Sequence, residues 1–286
     1  MTKTNAFTID VEDYFQVSAF EHSIDRNNWA HLEHRVSANI DQSLQILSDQ
    51  SVKATFFTLG WVAERYPQLI TRIVENGHEL ASHGYAHQRV SDLNCAEFKA
   101  DLIKAKNILE DISGQSIVGY RAPSYSIGKK NIWALEVLAE TGHQYSSSIY
   151  PIQHDHYGYP EAPRFKFRDE KTGLIEIPIT TVKVMNRLYP AGGGGFFRFY
   201  PYALSKWMIT RVNQVDKQST VFYLHPWELD PGQPRQQNIS AKTKFRHYLN
   251  LHKTEGRLKK LLQDFSWGRM DQVFINNQDI PTHRLS

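Results

Sequence analysis

Only one cysteine, Cys95, occurs in the 286 residues, which excludes an internal disulfide framework and any cysteine-rich zinc site. A bound metal would have to rest on histidine and carboxylate. No stretch approaches 18 consecutive apolar residues, so no segment reads as a bilayer-spanning helix. Met1 to Phe7 lacks a basic n-region, a long apolar core and a small-residue cleavage site, and the resulting expectation is a cytoplasmic protein. Internal repeats and low-complexity tracts are missing apart from Gly192 to Gly195. No Lys-Ser or Lys-Thr follows that run, so it is no phosphate-binding loop and reads as a flexible turn or a close backbone approach. Charge of one sign is scarce overall, at a net +3. It is uneven, because residues 235 to 286 carry ten Lys and Arg against four Asp and Glu, leaving the first 234 residues at −3. A solvated face on amphipathic helices accounts for the basic tail, and no nucleic-acid partner is expected.

What is present fits an α/β protein. A hydrophobic fraction of 41% with 22% charged residues excludes the disordered and fibrous classes, and the length suits one large domain with an appendage. Short apolar runs alternate with longer periodic segments, the pattern of βα units around a parallel sheet. Seven strands are expected: Ala6 to Asp10, Ala54 to Leu59, His78 to His83, Ile117 to Arg121, Tyr145 to Ile149, Ile175 to Ile179 and Thr220 to His225. Helices are expected near Ser37 to Ser48, Trp61 to Asn76, Ala96 to Ile112 and Lys130 to Thr141. Gly77, Gly114 and Gly142 supply cheap left-handed stops for the last three. Beyond Trp227 the character changes. Pro231 and Pro234 interrupt the chain, and Leu258, Leu261, Leu262 and Phe265 then share a helical face, which predicts a helical appendage over residues 231–286 packed on a main domain over 1–230.

Asp10, His83, Arg121 and His225 each fall at the carboxyl end of a different expected strand. In parallel β/α barrels that face collects the catalytic groups. His83 and His87 stand four residues apart, a spacing that lets both imidazoles face one ion if the segment turns helically, and that equally describes a pair of surface or capping histidines. Asp10 opens Asp-Val-Glu-Asp, either a solvated acidic turn or the carboxylate source for a metal with two imidazoles. Arg121, followed by Pro123, is a surface ion pair or, if buried, needs an anion such as Asp10. His225 closes the apolar run Val221-Phe-Tyr-Leu-His, where a satisfied core histidine is the plainer alternative.

Taken in order, six motifs carry a resemblance: Phe7-Thr-Ile-Asp-Val-Glu-Asp, Ala54-Thr-Phe-Phe-Thr-Leu-Gly, Gly77-His-Glu-Leu-Ala-Ser-His-Gly-Tyr-Ala-His, Tyr120-Arg-Ala-Pro-Ser-Tyr, Tyr145-Ser-Ser-Ser-Ile-Tyr-Pro and Leu224-His-Pro-Trp-Glu. Over residues 5 to 230 the chain resembles the polysaccharide deacetylases of the NodB homology group, carbohydrate esterase family 4. The Asp10 to Phe15 opening and Gly193 to Tyr202 look most like the subgroup linked to exosortase exopolysaccharide loci. This resemblance implies a distorted (β/α)7-type barrel and the removal of N-acetyl groups from amino-sugar residues of a polysaccharide or its precursor. It also implies a divalent metal, zinc by preference, on His83, His87 and a carboxylate.

In the implied roles Asp10 is the base, Arg121 its positioning partner and His225 the acid. The N–H of Ser124 or Tyr125 would complete an oxyanion site, and Tyr125, Tyr150 and Trp227 would either stack on sugar or belong to the core. Two departures stand out. Family members commonly open with adjacent aspartates, base then ligand, whereas Val11 follows Asp10 here. Strand alternation points Asp10 and Glu12 the same way, which favours Glu12 as ligand over the alternative, Asp13. The family often has an aspartate where this chain has Ser146, so the acid's carboxylate partner is missing or comes from elsewhere. Two rivals remain: a cyclic ureide or other C–N amide hydrolase on the same scaffold, and an inactive carbohydrate-binding member of an exopolysaccharide assembly system.

Overall fold

The computed structural model describes residues 3–154, 158–276 and 280–285. Its strands are β1 (Thr4–Val11), β2 (Thr55–Thr58), β3 (Glu79–Ser82), β4 (Gly119–Tyr120), β5 (Tyr145–Ser146), β6 (Phe167–Asp169), β7 (Ile175–Glu176), β8 (Thr181–Val184), β9 (Arg187–Pro190), β10 (Val221–Leu224), β11 (Ser266–Gly268) and β12 (Thr282–His283). The helices are α1 (Val36–Asp49), α2 (Gly60–Arg65), α3 (Pro67–Glu75), α4 (Cys95–Ser113), α5 (Ala134–Glu140), α6 (Gly194–Phe199), α7 (Tyr202–Arg211), α8 (Ala241–Tyr248) and α9 (Leu251–Asp264).

All seven expected strands lie side by side in the order β10-β1-β2-β3-β4-β5-β7, each parallel to its neighbours. β1 is buried along nearly its whole length because its inner face lines the barrel and its outer face meets helices. Between β7 and β10 the ladder is broken, which is the distortion of the barrel. Thr180 Oγ1 accepts from Val221 N at 2.7 Å, and Gly192 O accepts from Tyr223 N at 2.7 Å, so side chain and glycine backbone span the gap. The glycine run is therefore a close backbone approach. Gly193 sits at φ 116°, and a Cβ there would lie 2.2 Å from Tyr223 O.

Helix ends follow local chemistry. Asn94 caps α4 by accepting from Ala96 N and Glu97 N while the Glu97 carboxylate accepts from Asn94 N, and Gly114 stops the helix at φ 66°. The expected helix from Trp61 to Asn76 is two helices. Pro67 starts α3 and forces Tyr66 out of the helical region, to φ −129° and ψ 58°. The strands of two to four residues that flank the barrel, β6, β8, β9, β11 and β12, are too short to show a period in sequence.

The tail carries the expected helices, with Leu258, Leu261 and Leu262 buried. It then does something the periodicity did not foretell. β11 joins the sheet parallel to β1, pairing Thr4 with Ser266 and Ala6 with Gly268. Met270 and Phe274 pack with Ala6, Phe57, Tyr145 and Ile175 under the barrel. The last part of the chain is thus built into the barrel floor as well as onto its side.

Two glycines should respond oppositely to alanine. Gly193→Ala should lower stability by more than about 3 kcal/mol, since positive φ and a backbone clash add together. Gly256, exposed within α9 with nothing near its would-be Cβ, should gain up to about 1 kcal/mol from the same change. Thermal unfolding of the two variants checks this, and equal shifts would contradict the account of the β7–β10 gap.

Candidate active site and metal centre

The carboxyl ends of β1, β3, β4 and β10 bring Asp10, Glu12, His83, His87, Arg121 and His225 to the wall of one cavity of about 450 Å³, or directly behind it. Glu12, His83 and His87 are all buried, and each offers a ligand atom within 4.8 Å of the others. Glu12 Oε2 and His87 Nε2 are 2.8 Å apart, yet Oε2 has no hydrogen bond to satisfy it. Burial holds His83 neutral, with its pKa lowered to about 4, and its Nδ1 lies 2.8 Å from Arg121 O. That contact makes Nδ1 the protonated nitrogen and leaves Nε2 a lone pair. Burial raises the Glu12 pKa, but His87, His225 and His83 outweigh it and bring the value to about 2. A buried carboxylate with an orphaned oxygen beside two imidazoles is a donor set that could hold a divalent cation.

The two histidines do not reach each other through a helical turn. Gly84 at φ 74° starts a bend, Asp101 Oδ2 accepts from Tyr85 N at 3.0 Å, and His87 itself has φ 50°. Arg26 pins the end of this bend by donating to Ala86 O and His87 O. Asp13 points elsewhere. Its Oδ1 accepts from Tyr14 N, and its Oδ2 accepts from Arg35 N at 2.7 Å and Val36 N at 2.9 Å, so it caps the start of α1. The chain leaves β1 after Val11, and Glu12 N donates to Asp10 O at 3.0 Å, so a turn at the strand end sends the Glu12 and Asp13 carboxylates apart.

Asp10 is held from behind. Arg121, fully buried, donates from Nη1 to Asp10 Oδ1 at 2.5 Å and to Thr8 Oγ1 at 2.7 Å, while Nε and Nη2 donate to Ser147 O and Oγ. Its guanidinium carbon lies 4.0 Å over the Phe57 ring. The other oxygen, Asp10 Oδ2, sits on the cavity side, 3.9 Å from His225 Nε2. His225 Nε2 is also 3.6 Å from Glu12 Oε1. Burial would lower the His225 pKa, but Glu12, Glu228 and Asp10 raise it to about 9.

The Trp227 ring lines the cavity and is also packed, with His225 stacked on it at 5.2 Å between ring centroids and His247 at 4.3 Å. Its indole Nε1 donates to Glu12 Oε1 at 3.1 Å, so it orients the carboxylate. Tyr125 and Tyr150 are buried and edge-packed at 5.5 Å, and the Tyr125 hydroxyl lies 3.5 Å from Asp10 Oδ2. The Tyr125 N–H is already donated to Ala122 O, which leaves Ser124, at φ 54° on the cavity wall, as the backbone donor of that pair. Sequence reasoning missed Glu228, whose Oε1 lies 2.8 Å from His225 Nδ1, and Arg198, which donates to Glu228 Oε2 at 2.6 Å. The three-residue spacing after a proline was the available signal for Glu228. Nothing local marked Arg198.

The two acidic neighbours should separate on substitution. Glu12→Gln should abolish tight binding of a divalent metal, whereas Asp13→Asn should keep it and lose only stability, as a cap is weakened. Metal content of the two purified proteins is the measurement, and loss in the Asp13 variant alone would reverse the assignment.

Comparison with known proteins agrees with this geometry. Residues 26–146 match the polysaccharide deacetylase family and residues 147–275 match a domain of unknown function, DUF3473. The chain is 35% identical over 94 residues to a peptidoglycan-N-acetylglucosamine deacetylase of Bacillus cereus, covering 32% of this chain and 34% of that one. Against a chitooligosaccharide deacetylase of a Bradyrhizobium species it is 31% identical over 96 residues, covering 34% and 42%. The matches thus span about a third to two-fifths of these relatives. A crystal structure of a candidate polysaccharide deacetylase from Mycobacterium smegmatis superposes with a TM-score of 0.62 at 21% identity, over 100% of this chain and 94% of that one. A CE4 family pseudoenzyme from Bacillus anthracis gives 0.50 at 14% identity, over 99% and 70%. No described helix is long and apolar enough to cross a membrane. Residues 26–146 thus resemble the polysaccharide deacetylases, and the whole chain shares the distorted barrel fold of the Mycobacterium smegmatis structure.

Proposed function

We propose that the chain is a metal-dependent hydrolase that removes N-acetyl groups from amino-sugar residues of a glycan and releases acetate. The observation that carries this reading is the sharing of one cavity wall by the Glu12, His83 and His87 donor set, an arginine-held Asp10 and the partly exposed His225. An acetamide is a poor electrophile, so its hydrolysis needs an activated water, a stabilised oxyanion and a proton for the leaving nitrogen. A divalent cation on Glu12, His83 and His87, zinc by preference, would supply Lewis acidity and lower the pKa of water at that spot.

The remaining work falls to the chain's own residues. Asp10 Oδ2 accepts the proton of the attacking water, and Arg121 holds the carboxylate turned toward the cavity. The N–H of Ser124 faces the developing oxyanion. His225 delivers a proton from Nε2 to the nitrogen, since an amide anion is too basic to leave. A cytoplasmic protein of this kind would act on a soluble or lipid-linked precursor of an exopolysaccharide. The full set of proton-transfer and donor residues favours this over an inactive carbohydrate-binding role.

Acetate release from N-acetylglucosamine oligomers, measured beside allantoin hydrolysis, tests the reaction class. Chelation should abolish acetate release and zinc should restore it; turnover by the fully chelated protein, or activity on allantoin alone, would overturn the reading. Asp10→Asn and His225→Ala should each lower kcat by about two to four orders of magnitude, the range for losing positioned proton transfer. Near-normal kcat in either folded variant would remove that residue from the mechanism.

A further inference from the structure

We infer that the segment matching a domain of unknown function supplies the positioning device for the catalytic acid, an Arg198–Glu228 pair that fixes His225 from behind, as Arg121 fixes Asp10. The word acid rests on the deacetylase reading; the geometry does not. Ser146, where the resemblance leads one to look for the acid's carboxylate, bonds instead to Ser148 Oγ at 2.7 Å. The carboxylate comes from the turn that follows the acid itself. Pro226 opens a tight turn after His225, and this folds Glu228 back so that Oε1 accepts from His225 N at 3.0 Å and meets Nδ1 at 2.8 Å. With Nδ1 so engaged, Nε2 is the nitrogen presented to Asp10 and Glu12.

Glu228 is wholly buried, and a buried carboxylate needs a cation. Arg198, 2% exposed, provides it through Nε. The second arm of the same guanidinium donates from Nη1 to His247 O at 2.7 Å and Leu249 O at 2.9 Å, the carbonyls that end α8. Arg198 is fastened in turn. Its own carbonyl accepts from Asn250 Nδ2 at 2.9 Å and from Arg257 Nη1 at 2.9 Å, both beyond α8. Trp227, between acid and carboxylate in sequence, donates to Glu12 and is flanked by His247. One short turn therefore joins the acid, a metal-site carboxylate and the junction of α8 and α9. A pair serving stability alone would have no need to end on an imidazole whose other nitrogen faces the cavity.

The test uses the full chain, with histidine labelled by ¹⁵N. Wild type should show a downfield Nδ1–H resonance assigned to His225 by its loss in His225→Ala. In Glu228→Gln that resonance should move upfield or vanish, kcat should fall about 10- to 100-fold, as for other supporting residues of an active site, and KM and bound metal should stay unchanged. A folded Glu228→Gln protein with the wild-type resonance and kcat would overturn the inference, as would a loss confined to stability. If Glu228→Gln does not fold, the Arg198→Gln/Glu228→Gln double variant, which leaves no lone buried charge, gives the same readouts. Should wild type release no acetate, the deacetylase reading fails on its own, and the resonance still decides whether Glu228 fixes His225.

Discussion

A guanidinium with no exposed surface organises the centre of this molecule. Arg121 cannot shed its charge, so burying it demands an anion and further acceptors, which β1 provides as Asp10 and Thr8 and the end of β5 as the next residue, Ser147. Removing one partner of such a pair costs about 3–5 kcal/mol, because the survivor is left charged in a dry interior. The same residue's backbone carbonyl receives His83 Nδ1 and so sets which imidazole nitrogen is free. Asp10, His83 and three barrel strands thus take their geometry from one side chain and one carbonyl.

The opposite wall of the cavity repeats this logic with different parts. Glu228 and Arg198 bury a charge pair behind His225, and the α8–α9 junction closes over it. β11 then threads beside β1, and Met270 and Phe274 fill the barrel floor. The barrel is consequently finished by the second half of the chain on two sides. This gives the region after residue 147 a physical task in the site, in addition to its share of the core.

Much of this was legible because strand ends are legible. Apolar runs closing on Asp10, His83, Arg121 and His225 announced a parallel sheet with those residues at its carboxyl edge. What stayed hidden depends on partners distant in sequence. Trp227 reads as an aromatic platform, and its stacking on His247, twenty residues on, has no mark in the sequence. Arg198 lies 30 residues from Glu228, in a helix whose entry depends on the Gly193 backbone touching Tyr223. The bend between His83 and His87 is fixed by Asp101 and Arg26, neither of which the four-residue spacing contains.

The central claim is that the carboxyl mouth of the barrel is a single metal-centred site. Anomalous diffraction from crystals of the zinc-loaded protein tests it most directly. The account predicts one peak within bonding distance of Glu12, His83 and His87, with Asp10 and His225 beside it and Asp13 still bound to the amides of α1. A peak ligated by Asp13, or zinc absent from this cavity in crystals that hold it elsewhere, would contradict it.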